Sequence, residues 1–232
     1  MITMLLRKDL RVYRDVILAN IILIAAIYSI VAIAVFSDQH QTNPKDWLEG
    51  IIGSAVGSIA ITCLLAGAYG GVAFAQERRE RSAHFLAMLP VARRPIVLSK
   101  CVVSIFSQVA FIAANVLVLF IAATYLTVVY GERPDLKGLA PTAILDLCIT
   151  AMLFGSGWLL SAMLESSSIA TSISIGGTII LNVLIALIVQ RRMAINGSSE
   201  NFSILACSLT SLPIGVACFV YGTVYYLKRV EP

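Results

Sequence analysis

Residues 76–100, QERRERSAHFLAMLPVARRPIVLSK, interrupt two long charge-free apolar runs, and how they are read decides the fold. Arg78, Arg79, Arg81, Arg93, Arg94 and Lys100 cannot enter hydrocarbon cheaply, so this insert belongs to the wet side of a membrane. Phe85, Leu86, Met88 and Leu89 recur at helical spacing and leave an apolar face for a partner. Pro90 stops that short helix.

Outward from the insert, the chain is 59% hydrophobic and only 13% charged, with a mean hydropathy of +0.89, which excludes an ordinary soluble domain. A helical span needs roughly 20 apolar residues to cross about 30 Å of hydrocarbon. Six segments reach that length, at about 16–36, 51–75, 101–130, 141–164, 168–189 and 205–227, and Asp146 is the one charge within them. The runs are too long and too uniform for membrane β-strands, so the expected fold is an all-α polytopic membrane protein of six transmembrane helices.

Residues 1–15, MITMLLRKDLRVYRD, set Ile2, Leu5, Leu6, Leu10 and Tyr13 against Arg7, Lys8, Arg11 and Arg14, the pattern of a helix lying in the headgroup layer, with a simple positive flank for the first span as the alternative. Ala32-Ile33-Ala34 resembles a signal peptidase site, but the apolar run before it is longer than the usual 7–15 residues and holds no helix breaker, so the segment reads as a retained span. With the N-terminus inside, the inner set of cations is Arg7, Lys8, Arg11, Arg14, the six of the insert, Lys228 and Arg229. The outer set is Lys45, Arg133, Lys137, Arg191 and Arg192. That imbalance puts both termini in the cytoplasm, and contact with anionic lipid accounts for the net charge of +4 without a nucleic-acid partner.

The outer loops, about 37–50, 131–140 and 190–204, are short. The inner turn Glu165-Ser166-Ser167-Ser168 is tight, which leaves residues 76–100 as the one substantial loop facing the cell interior. Asn196-Gly197-Ser198 and Asn201-Phe202-Ser203 match glycosylation sequons, a pattern common by chance that receives no role. Asp146, one turn inside the outer end of span four, should face protein or water, as a structural carboxylate or a lining group of a path. Gln108, Asn115 and Asn182 are mid-span amides suited to bonds between helices. Ser54, Gly57, Ser58, Gly67, Gly70 and Gly71 give span two a small face, and Gly176-Gly177 and Pro213 with Gly215 read as further close packing.

An intramembrane enzyme is the rival from another class, and Phe154-Gly155-Ser156-Gly157 superficially offers a serine nucleophile. The histidines, His40 and His84, fall in loops away from it, and no His/Asp/Glu cluster has metal-ligand spacing. No G-x-x-x-x-G-K-[ST] phosphate loop is present, so the chain itself is expected to be non-catalytic and without cofactor. Cys63, Cys101, Cys148, Cys207 and Cys218 stand singly in or beside apolar runs and read as packing residues.

A basic N-terminal helix, two spans, Glu77-Arg78-Arg79-Glu80-Arg81-Ser82 followed by Leu86-Ala87-Met88-Leu89-Pro90-Val91-Ala92-Arg93, then four more spans: this order resembles the membrane permease subunits of ABC-2 type exporters. The resemblance covers essentially the whole chain as a single transmembrane domain. It implies that Glu77 ends span two, that 82–89 form a coupling helix entering a groove on an ATPase subunit, and that Pro90 to Arg94 lead into span three. Glu77, Arg78, Arg81, Ser82, Phe85, Leu86, Leu89 and Pro90 would then carry coupling. Leu5, Leu6, Arg7, Leu10, Arg11 and Arg14 would form an elbow helix, and Asp146, Asn115 and Asn182 would line a path or pack helices. ATP and Mg would be bound by the separate ATPase chain, with a second permease copy or paralogue completing a path lined by spans one, two and five in the cytoplasmic (inner) membrane. The outer loop 190–204 is short and mostly polar, unlike the re-entrant helices of several branches of the family. A six-span channel or scaffold without an ATPase is the alternative, and it has no use for an apolar face on Phe85, Leu86 and Leu89.

Overall fold

The computed structural model describes residues 2–37, 44–79, 93–131, 139–196 and 201–229, and among these every regular element is a helix. In chain order they are α1 (Ile2–Ser37), α2 (Pro44–Val72), α3 (Ala75–Arg79), α4 (Arg93–Tyr130), α5 (Leu139–Met163), α6 (Ser167–Asn196) and α7 (Asn201–Arg229). Six of them are long and apolar enough to cross a membrane. Large side chains such as Ile22, Ile30, Phe106, Phe120 and Val128 stand exposed on their outer faces, which suits immersion in lipid.

The N-terminal boundary differs from the sequence expectation. The basic segment 1–15 and the first span are not separate elements, because α1 runs unbroken from Ile2 to Ser37. Its sequence holds neither glycine nor proline, so nothing stops the helix between the basic turns and the apolar ones. The face turned to protein is also different: Asp9, Tyr13, Val16 and Asn20 are buried at helical spacing, while Leu10 is half exposed. α4 is likewise long, starting at Arg93 with Pro95 in its first turn, where a missing N–H costs no helical bond. The C-terminal end of α4 is followed by Gly131, whose φ of +68° is the left-handed conformation that glycine adopts without a Cβ clash.

α2 and α5 form the centre, since α2 packs against α1, α4, α5 and α6 while α5 packs against α2, α6 and α7. Glycine sets these crossings: a Cβ on Gly157 of α5 would lie 2.6 Å from the Gly67 carbonyl of α2, and one on Gly222 of α7 would lie 2.8 Å from Leu159 Cα. Gly155 of α5 meets Gly215 of α7 backbone to backbone. Gly57, Gly176 and Gly177 behave otherwise, with nothing within 4 Å of a Cβ position, so the close packing expected there is not made among the described residues. Helices α5 and α6 are joined by the short turn at 164–166, as the sequence indicates.

Candidate functional site

The ends of the basic insert meet in a buried ionic cluster. Lys100, in the second turn of α4, is fully buried, with its Nζ 3.0 Å from Glu77 Oε1 of α3 and 3.5 Å from Asp9 Oδ1 of α1. Lys8 of α1 donates to the same Glu77 oxygen at 2.6 Å from a partly exposed position. Ser99 donates its hydroxyl to the other oxygen of Asp9. Two cations and two carboxylates therefore balance in a site that water reaches only from the side of Lys8. Such charges are tolerated in the interior because each is paired and hydrogen-bonded.

An aromatic block supports the cluster. The Phe74 ring lies 5.7 Å below the Lys100 ammonium, a cation–π contact. It stacks on Tyr226 of α7 at 4.1 Å and meets Trp158 of α5 edge-on at 4.7 Å. Trp158 donates its indole N–H to Thr223 at 3.1 Å. Arg78, beside Glu77, donates to the Ser161 carbonyl of α5. Residues 74–78 thus reach α1, α4, α5 and α7 together, because the chain turns at Ala73 and Phe74 between α2 and α3 and there aims successive side chains in different directions.

Further along the helices the contacts remain polar. Thr62 of α2 donates to Asn20 of α1 at 3.3 Å, and Tyr28 of α1 donates to Asn115 of α4 at 3.1 Å. Asn182 of α6 accepts from Ser211 of α7 at 3.0 Å and donates to its own helix at the Thr178 carbonyl. Asp146 is half buried, and no partner among the described residues reaches its carboxylate.

Of the residues expected to carry coupling, the structure brings Glu77 and Arg78 into the bundle, where Glu77 faces Lys8 and Lys100 and not a water-side groove. Arg81, Ser82, Phe85, Leu86, Leu89 and Pro90 lie outside the described residues. Among the elbow residues, Arg7, Leu10, Arg11 and Arg14 are exposed, and Leu5 and Leu6 are partly covered. Sequence reasoning passed over Asp9 and took Lys100 for a solvated flank. The available signal was the register of Asp9 with Tyr13, Val16 and Asn20, which gives a basic segment one inward acidic position.

No group of three or more His, Cys, Asp or Glu residues with metal-binding geometry occurs among the described residues. A family model described as ABC-2 family transporter protein matches residues 4–208. No curated protein and no solved structure matches the chain.

Proposed function

The chain belongs to the ABC-2 transporter family, and from that premise we propose that it is the permease subunit of an ATP-driven exporter, coupled to a separate ATPase chain through residues 82–89. The observation that carries this reading is the ionic cluster. Glu77 precedes the docking segment and Lys100 follows it, and their pairing, shared with Lys8 and Asp9, ties both ends of that segment to α1. A push on 82–89 by an ATPase closing around ATP then moves α1, α2 and α4 as one body, the kind of two-state displacement that opens and shuts a path. Two permeases enclose that path between α1, α2 and α6, and both termini face the cytoplasm with the ATPase.

The test is Phe85→Asp combined with Leu89→Asp. Membrane insertion is expected to persist while co-purification of the ATPase is lost, because two carboxylates would be forced into an apolar groove. Undiminished recovery of the ATPase removes the coupling role and leaves the channel or scaffold reading.

A further inference from the structure

A crevice of about 530 Å³ opens between the first turns of α1, the first turns of α4 and the last turns of α7, lined by Leu6, Pro95, Leu98, Val102 and Leu227 with Arg94 among them. Its size lies within the roughly 300–1,000 Å³ of small-molecule sites. We propose that this crevice holds one acyl chain of an anionic phospholipid, with the phosphate bound by Arg94.

The walls exclude water as the occupant. Ser99 and Thr223 also line the crevice, but Ser99 directs its hydroxyl to Asp9 and Thr223 accepts the Trp158 indole N–H, so little is left to hold water there. A dry apolar gap at the edge of a membrane bundle takes up hydrocarbon, and the hydrocarbon at hand is lipid. The charge selects the headgroup. Arg94 is exposed, and so are Arg7 and Lys228, the chain neighbours of the lining residues Leu6 and Leu227. Asp9 and Glu77 are buried and already joined to Lys8 and Lys100, and no carboxylate among the described residues pairs with Arg94. An exposed arginine lining an apolar slot, on helix ends that also carry Arg7 and Lys228, matches a phosphate on an acyl tail.

The full chain is placed in nanodiscs of dioleoyl phosphatidylcholine or of dioleoyl phosphatidylglycerol, and retained lipid is counted by native mass spectrometry. One phosphatidylglycerol per chain is expected to stay bound in preference to phosphatidylcholine. Arg94→Ala should weaken its retention about fivefold, the effect of one basic residue at a lipid surface, and Arg94→Lys should restore most of it. Val102→Trp, at a half-exposed position, should fill the slot and abolish retention of the lipid. Equal retention of the two lipids, or wild-type retention by Arg94→Ala, overturns the site. Retention unaffected by Val102→Trp puts the lipid elsewhere, and oleate binding as well as phosphatidylglycerol assigns the slot to a free fatty acid; either result overturns the proposal.

Discussion

Lys100 has no exposed surface and two carboxylate partners, and Lys8 shares one of them from a position 31% exposed. That difference in burial ranks their contributions. Lys100→Met strands Asp9 and leaves Glu77 with one cation, so thermal melting in mild detergent should reveal a loss of about 3–5 kcal/mol or a failure to accumulate folded protein. Lys8→Ala should cost about 1 kcal/mol or less, since water still reaches that pair. Equal losses from the two substitutions would show that the buried pairs carry no special weight. The types of these residues were plain in the sequence, but their depth was not. A lysine immediately before a charge-free run looks the same whether it faces water or an aspartate 91 positions upstream, and only the packing of α1 on α4 decides.

Among the helices, glycine divides into two groups with opposite expected responses. Gly157→Ala brings a methyl against the α2 backbone, which has no rotamer to yield, so a loss of about 1–3 kcal/mol in the same melting assay is expected. Gly57→Ala and Gly176→Ala meet open space and should leave stability unchanged or raise it by up to about 1 kcal/mol through helix propensity. Stabilisation by Gly157→Ala would mean that α2 and α5 cross less closely than described. Hydropathy alone sufficed to find all six spans, because length and composition determine whether a helix can cross a bilayer. It did not show that Gly67, Gly70 and Gly71 meet Gly157 while Gly176 and Gly177 meet nothing, because a small residue states only that a neighbour would fit. The separation of residues 1–15 from the first span failed for a related reason. Polarity changes along α1, but backbone preference does not.

For the whole molecule, six spans among the described residues would put the start of α1 and the end of α7 on one side, which the imbalance of cations proposes to be the cytoplasmic one. Single cysteines at Ser82 and Ser198, in a background without the five native ones, should react with an impermeant thiol reagent from opposite faces of intact cells. Equal reactivity would remove the six-span arrangement. The ionic cluster also bears on how the protein is made. Lys100 is synthesised 91 positions after Asp9, the carboxylate it pairs with. At about 5–20 residues per second, that interval is roughly 5–20 seconds. Glu77, the partner of Lys8, is made before Lys100, but throughout that interval Asp9 lacks the lysine that balances it inside the bundle, so the docking of α1 stays incomplete. Arrival of Lys100 is then the moment at which α1 can seat fully against α4.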